Sequence, residues 1–298
     1  MAINTDELCV ASWNVAHNGR RLDSKDSRRR PAHSVLARFV PHVVFRHELT
    51  GASANSRAEL YEEANKLALL PFMPETKPGR SRNPPGIMID PHLFEVVAQT
   101  DHDLPWKPVC HVRVRLKGCP KPLELASAHL THFDPTMRAT EARRLTVLAD
   151  HGRTALIGLD ANSYPHRSAD ETTDPLVWNA VDDPVHFQQR TIERHGRRVS
   201  DTRPSEILTG GRLPVFTDLA HHAGTTLHQA GAMEATASLT RTDQGPPQRI
   251  DWIIATPDLT PALRSVEVVA TEEVRLRTDH GLLIARFSLS DICDILMS

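Results

Sequence analysis

The stretch TALIGLDANSYP, residues 154–165, ends an apolar run with a carboxylate and an amide, Asp160 and Asn162. Such a pair can orient a water molecule, and the carboxylate can accept a proton from it. The common alternative is a turn, because Asp and Asn side chains bond to their own backbone where strands stop. The other strand ends of this sequence favour a chemical role.

Polar side chains also stand at the ends of several further strand-like segments. They are Asn14, Glu48 and His129 at the ends of apolar segments, Asp251 inside RIDWIIA, and Asp279 with His280 before GLLIARFSL. An unpaired charge such as Asp251 is costly in an apolar strand, so it needs a partner. If these strand ends share one edge of the sheets, they form a cleft with several carboxylates and two histidines.

Such a cleft suits attack on a phosphoester. The negative charge of a phosphoester calls for a metal that neutralises its oxygens and polarises the phosphorus. Mg²⁺ prefers oxygen ligands and usually takes one or two protein carboxylates, which Glu48 with Asp279 and Asn14 can supply. A histidine held by a carboxylate, as Asp251 could hold His280, becomes a stronger base or charge stabiliser.

The ordered motifs SWNV, a Glu after an apolar strand, AHL, LDAN, RIDWI and TDHGLL resemble those of the endonuclease/exonuclease/phosphatase superfamily. Each motif is short, but together they run in the right order with compatible spacing from residue 8 to residue 287. The resemblance implies an α/β (α+β) fold, a four-layer sandwich. In it, two mixed β-sheets pack face to face with helices on the outer faces.

The resemblance also implies a metal site. Glu48 matches the principal metal-binding glutamate of the superfamily. Asn14 matches the asparagine beside metal and phosphate, and Asp279 matches an aspartate that lies near the metal. The implied cofactor is Mg²⁺, with Mn²⁺ as an alternative.

Five further residues match the catalytic positions of the superfamily. His129 matches the histidine that contacts the scissile phosphate. Asp160 and Asn162 match the pair that positions the nucleophilic water. Asp251 matches the carboxylate that pairs with the final histidine, here His280.

Some positions depart from the superfamily pattern. His47 stands where a Gln usually precedes the metal glutamate, Leu159 and Ala161 alter the Gly-Asp-Phe-Asn motif, and Thr278 replaces a Ser. None of these changes removes a functional group that the mechanism needs. The His47 change alters the surroundings of the metal glutamate and therefore bears on metal affinity.

We expect a single domain over residues 1–298 with a long irregular insertion at about 163–215 that contains short helices. Helical spacing occurs at 33–40, 56–70 and 135–151. Strands are predicted at 8–15, 42–48, 86–90, 109–116, 123–130, 154–160, 249–255, 265–270 and 281–289.

Two basic clusters, residues 19–31 and 190–198, could bind a polyanion, although solvated loops are the common alternative. The first cluster leaves the sheet edge directly after Asn14, so Arg20 and Arg21 are predicted to meet substrate phosphates. Aromatic residues make up 5% of the chain, which gives no support for single-strand binding by base stacking.

The predicted function is that of a divalent-metal-dependent phosphoesterase, a nuclease that cleaves DNA or RNA with a metal-activated water. One alternative is a phosphatase or phosphodiesterase that acts on a small or lipid phosphoester. Another is a non-catalytic member that binds nucleic acid or a protein partner.

Composition excludes several other classes. The chain is 40% hydrophobic and 24% charged, with net charge −2, a globular balance without the basic surplus of dedicated nucleic-acid binders. Its four cysteines are scattered and no His-Glu-x-x-His occurs, which argues against disulfides and zinc hydrolase chemistry. No signal-like or membrane-length apolar stretch is present, so we expect a cytoplasmic monomer without a membrane partner.

Overall fold

The computed structural model describes residues 6–20, 28–167, 171, 176–241 and 243–297. The strands in these ranges are β1 (Glu7–Asn14), β2 (Val43–His47), β3 (Leu70–Phe72), β4 (Gly86–Ile89), β5 (Phe94–Gln99), β6 (Cys110–Leu116), β7 (Leu123–His129), β8 (Thr154–Asp160), β9 (Thr191–Arg194), β10 (Arg197–Ser200), β11 (Thr217–Asp218), β12 (Asp251–Ala255), β13 (Leu263–Val269) and β14 (Leu282–Ser288). The α-helices are α1 (Arg29–Ala37), α2 (Ala54–Leu67), α3 (Pro135–Leu145), α4 (Pro184–Arg190), α5 (Arg203–Thr209), α6 (Leu219–Thr225), α7 (Glu272–Arg275) and α8 (Leu289–Met297).

The strands form two large mixed sheets. The first sheet has the order β13-β14-β1-β2-β4-β3, and the second has the order β11-β12-β8-β7-β6-β5. Each sheet contains one parallel pair, β1 with β2 and β7 with β8, among antiparallel neighbours. Strands β9 and β10 form a separate hairpin. The predicted pair of mixed sheets is therefore confirmed.

Alternation along the strands builds the layers. In β1 and β2, Val10 and Phe45 face the core between the sheets, whereas their neighbours Ala11 and Val44 face the opposite side. Helices α1 and α2 pack on that outer face of the first sheet, and α3 and α5 pack on the outer face of the second. The predicted four-layer sandwich is confirmed.

The two sheets approach closely at Gly158 of β8. A Cβ atom added to Gly158 in β8 would lie 2.3 Å from the Phe45 side chain of β2. Only glycine leaves room for that contact, because real Cβ atoms do not approach other heavy atoms so closely. The spacing of the sheets at this point therefore depends on the absence of a side chain at Gly158.

Each predicted strand is present, with bounds that differ by a few residues. The strand predicted at 281–289 ends at Ser288, because the apolar stretch continues as α8. The helix predicted at 56–70 ends at Leu67, where a left-handed Ala68 stops it before β3 begins at Leu70. The sequence pattern missed β3, β5, the β9–β10 hairpin and the two-residue strand β11.

The segment predicted as an irregular insertion does contain short helices, α4 and α5, in its described part. The interpretation as a single domain stays a prediction. None of the helices in the described ranges combines the length and the apolar character that a bilayer span requires.

Candidate active site

The first sheet brings its polar strand ends to one edge. Strands β1 and β2 are parallel, so Asn14 at the end of β1 and Glu48 just after β2 lie at the same end of the sheet. Strand β14 runs antiparallel to β1, so the residues just before it, Asp279 and His280, reach that same end.

The second sheet presents its own set at the facing edge. Strands β7 and β8 are parallel and end in His129 and Asp160, which are paired in register. Strand β12 is antiparallel and starts with Asp251 directly opposite Asp160. Asn162 follows β8 by two residues. Strand direction thus explains why these distant residues meet.

Two side-chain contacts join the sheets at this edge. Asn14 Nδ2 donates to Asp160 Oδ2 at 2.8 Å, and His280 Nδ1 lies 2.9 Å from Asp251 Oδ2. Asp160, Asp251 and His280 each offer a polar atom within 4.8 Å of the others. The predicted residues of the two sheets therefore converge in space.

These residues line a cleft of about 710 Å³. Asp251 is buried and stands behind His280, to which it is bonded, rather than in the lining. The other predicted residues that line the cleft are Asn14, Glu48, His129, Asp160, Asn162, Asp279 and His280.

Glu48 and Asn162 both have left-handed backbone conformations, with φ of 59° and 48°. Such a conformation costs a non-glycine residue about 1–2 kcal/mol, so the surrounding structure must hold it. The His17 backbone N–H donates to Glu48 Oε2 at 2.8 Å. For Asn162, its N–H donates to Asp160 Oδ1 at 3.1 Å and its Nδ2 to the Leu130 carbonyl at 2.8 Å.

His280 is a cation in this arrangement. Burial lowers the pKa of an imidazole, but the Asp251 carboxylate outweighs that effect and the pKa of His280 rises to about 10. For Asp251 itself, burial raises the pKa to about 6 against the opposing effect of His280. The pair therefore presents a positive imidazolium to the cleft at neutral pH.

In the pair His129 and Asp160, by contrast, the imidazole is neutral and only the carboxylate is charged. Burial holds the pKa of His129 well below its usual range, so this imidazole is neutral near pH 7. Burial works to raise the pKa of Asp160, but the neighbouring His129 and His280 lower it far below its usual value. His129 Nε2 lies 3.3 Å from Asp160 Oδ2. Asp160 is therefore an anion that can accept a hydrogen bond.

The first sheet presents oxygen donors of the type that a divalent cation prefers. Asn14 Oδ1 is buried and has no hydrogen-bond partner among the described residues, although Asn14 Nδ2 is bonded. Glu48 supplies a carboxylate in the same cleft, and Asp279 supplies a second. Mg²⁺ prefers such an oxygen set to one that includes an imidazole nitrogen, as Asp160, Asp251 and His280 would offer.

His47, which replaces the usual Gln, faces away from this oxygen set. Its Nε2 lies 3.3 Å from the Gly158 carbonyl, and burial lowers the pKa of His47 to about 4. The neutral ring donates to that carbonyl and so links β2 to β8. Among the described residues its contact is with the second sheet rather than with the Glu48 carboxylate.

Arg20 does not reach the lining of the cleft. Its guanidinium donates to Glu59 Oε1 at 2.6 Å and to the Thr50 carbonyl at 3.2 Å. Arg21 lies outside the described residues. A role for either arginine in substrate binding stays a prediction.

Lys107 and Arg190 are among the cations of the cleft lining that the sequence analysis did not single out. Lys107 lines the cleft and is only 3% exposed. Burial lowers the pKa of Lys107 to about 8, against the opposing effects of Glu48 and Asp160. Arg190, the last residue of α4, also lines the cleft. The basic cluster at 190–198 was the only sequence signal for either residue.

The sequence matches no protein-family model and no curated protein. Solved structures match over nearly the whole chain at low identity. The endonuclease/exonuclease/phosphatase from Bacteroides vulgatus aligns with a TM-score of 0.64 and 15% identity, covering 95% of this chain and 99% of that one. D. rerio TDP2, complexed with a single-strand DNA product, aligns with a TM-score of 0.62 and 16% identity over 95% and 99%.

ANGEL2, described as a 2′,3′-cyclic phosphatase and solved with adenosine-2′,3′-vanadate, aligns with a TM-score of 0.62 and 15% identity. That alignment covers 96% of each chain. At such identities the likeness establishes the fold. The chain has the fold of the endonuclease/exonuclease/phosphatase superfamily, as the sequence motifs predicted.

Proposed function

We propose that this protein is a divalent-metal-dependent hydrolase that cleaves phosphodiester bonds in DNA or RNA. The observation that carries the proposal is the meeting, in one cleft, of the Glu48 and Asn14 oxygens with Asp160 and His280. A protein that only binds nucleic acid needs a charged surface, but it does not need a buried carboxylate such as Asp160 beside a protonated histidine such as His280.

Glu48, Asn14 and Asp279 are the residues that would hold Mg²⁺, or Mn²⁺, in this cleft. When bound, the ion would neutralise phosphate oxygens and polarise the phosphorus. The buried Asn14 Oδ1 without a partner supports this assignment, because an unmet buried carbonyl oxygen is costly unless a ligand satisfies it.

Asp160 and Asn162 orient the attacking water. The Asp160 carboxylate already accepts from Asn14 Nδ2 and the Asn162 N–H, which fixes its plane. A carboxylate has about four lone-pair sites, so acceptor capacity remains for a water molecule. As the anion, Asp160 can accept a hydrogen bond from that water molecule.

His280 stabilises the charge that develops on the phosphate. Because Asp251 keeps the ring protonated and fixes its orientation through Nδ1, the Nε2–H is available as a charged donor. Preorganised donors of this kind contribute about 3–4 kcal/mol to transition-state stabilisation. The neutral His129 supplies a second, uncharged contact beside Asp160.

Cations on the cleft walls support a nucleic-acid substrate. Lys107, Arg80, Arg82 and Arg241 line the cleft together with the residues of the site. Side chains of this type contact successive phosphates of a strand. The single-strand DNA product in the D. rerio TDP2 structure agrees with such a substrate.

The test is hydrolysis of bis(p-nitrophenyl) phosphate, a single-stranded DNA oligonucleotide, RNA and plasmid DNA, with Mg²⁺, Mn²⁺ or EDTA. We expect turnover that EDTA abolishes and that falls about a thousandfold in His280→Gln. His151→Gln, which changes an exposed histidine outside the cleft lining, is the matched control and should keep full activity. Turnover that resists EDTA, or that is equal in both variants, would refute the proposal.

A further inference from the structure

The guanidinium of Arg190 is hydrogen-bonded to Asn162, which orients the attacking water in the proposed function. Nη2 donates to Asn162 Oδ1 at 2.6 Å, and Nη1 donates to the Asn162 carbonyl at 3.0 Å. Nη1 also donates to the His132 carbonyl at 3.2 Å. Since Asn162 Nδ2 is bonded to the Leu130 carbonyl, both ends of the Asn162 amide are held. Arg190 therefore fixes which way this amide faces.

Arg190 differs from the arginines that stabilise the fold, because among the described residues no carboxylate forms an ion pair with it. Asp160, Asp201 and Asp251 act on it only at longer range, and burial lowers its pKa. A guanidinium stays protonated in proteins, so the positive charge persists. Within the described part of the chain, it lines the cleft as a cation that forms no ion pair with a carboxylate.

The hydrogen bonds leave part of the guanidinium unused. Of its roughly five N–H groups, both on Nη1 and one on Nη2 are engaged by His132 and Asn162. The remaining Nη2–H and the Nε–H share one edge of the planar group. Such a two-pronged edge matches two oxygens of a phosphate.

We propose that Arg190 binds the two non-bridging oxygens of the substrate phosphate while it holds Asn162 in position. This inference rests on the proposed function and deepens it, because it assigns a phosphate contact to the segment 163–215. In this arrangement α4 carries a substrate-binding residue to a site whose other members lie on the sheet edges.

The experiment compares Arg190→Gln and Arg190→Lys with Arg212→Gln, which removes an exposed arginine of the same segment that is not in the cleft lining. One measurement is calorimetric binding of thymidine 5′-monophosphate in the presence of Mg²⁺. The other is kcat and KM for a single-stranded oligonucleotide. Thermal unfolding of each variant reports whether the segment remains folded.

We expect Arg190→Gln to weaken nucleotide binding by about tenfold or more, and kcat/KM to fall by at least as much. Arg190→Lys keeps the charge without the paired donors, so it should recover part of the nucleotide affinity and less of kcat. Arg212→Gln should stay within about twofold of the wild type in both measurements.

A fall in kcat with unchanged nucleotide affinity would overturn the phosphate contact and leave Arg190 with a positioning role only. Unchanged affinity and rate in Arg190→Gln would overturn both parts. If Arg190→Gln unfolds, Arg190→Lys decides, because full wild-type affinity and rate in that variant would also contradict the paired contact. If wild-type protein shows no turnover, the proposed function fails, and the nucleotide affinities still judge Arg190 separately.

Discussion

Two arginines of this chain differ in their hydrogen-bond partners. Arg46 belongs to the first sheet, and Arg190 lines the cleft. Arg46 in β2 is fully buried, and its Nε donates to Glu63 Oε1 at 2.7 Å. His33 lies 3.3 Å from the same carboxylate. Arg190 has carbonyl and amide oxygens as its hydrogen-bond acceptors in the described structure, and no carboxylate among them.

The difference distinguishes buried charges that stabilise the fold from cleft charges that are available to bind a ligand. A buried cation with a carboxylate partner is neutralised within the protein, and removing either partner leaves a costly lone charge. In the described ranges, Arg190 and Lys107 form no ion pair with a carboxylate, and a phosphate in the cleft can neutralise such cations instead. The two groups should therefore respond differently to substitution.

Among the substitutions that test this comparison, Glu48→Gln is expected to have the largest effect on the cleft side. Loss of the carboxylate should raise the Mg²⁺ concentration needed for half-maximal rate by about tenfold to a hundredfold. The measurement is a Mg²⁺ titration of the rate, with Glu75→Gln, an exposed acid outside the cleft lining, as the control. Equal Mg²⁺ dependence in the wild type and Glu48→Gln would contradict the metal assignment.

Glu63→Gln tests the structural side of the comparison. It leaves Arg46 as a buried cation without its carboxylate, so the free energy of unfolding should fall by about 3 kcal/mol. Urea denaturation measures this loss. Folded Glu63→Gln protein should keep its Mg²⁺ dependence, and a change in that dependence without loss of stability would break the separation between the two groups.

The same carboxylate predicts a pH dependence of stability. Burial would raise the pKa of Glu63, but Arg46 and His33 hold it at about 2, below the usual 4.5. The unfolded chain then binds the proton first, so the stabilisation is complete above pH 4.5 and is lost as the pH falls towards 2. Unfolding free energies across this window should fall less steeply in Glu63→Gln than in the wild type.

Lys107→Met should affect the site by a smaller amount. The methionine keeps an unbranched apolar side chain only one heavy atom shorter than that of lysine but removes the cation, so we expect KM for an oligonucleotide to rise about tenfold. Lys66→Met, which changes an exposed lysine on α2, is the control. A drop in stability without a change in KM would place Lys107 with the structural charges.

The smallest effect is expected from Arg20→Gln. Because Arg20 is exposed and already bonded to Glu59, its loss should change kcat/KM by less than about twofold. A tenfold loss would show that Arg20 leaves Glu59 for the substrate. It would then support the phosphate-binding role predicted from the basic cluster.

Most of this site was readable in the sequence because its members sit at strand ends. An apolar run fixes where a strand lies, and a polar residue at its tip, as with Asp160 or His129, stands out against that background. The strand β5 was missed because its residues after Phe94 are largely exposed, so its burial pattern is weak.

Lys107 and Arg190 escaped for a different reason. Lys107 lies in a connection, and Arg190 ends the short helix α4, which is too short to show a clear helical periodicity. The position of both residues is set by tertiary contacts. Nothing in the residues next to Lys107 marks it as buried, and Arg190 resembles the other arginines of its cluster. Burial and missing counter-ions are properties of the folded molecule, and the sequence alone does not display them.

The absence of a side chain at Gly158 affects how the residues of the proposed active site are brought together. Glu48 and Asp160 belong to opposite sheets, so neither sheet alone carries a complete set of reactive groups. A side chain at position 158 would overlap Phe45 and force the two sheets apart, and with them the residues that each sheet contributes to the site. The hydrolysis rate therefore reports whether the two sheets pack closely together. We expect Gly158→Ala to lose hydrolysis while each sheet retains its own secondary structure.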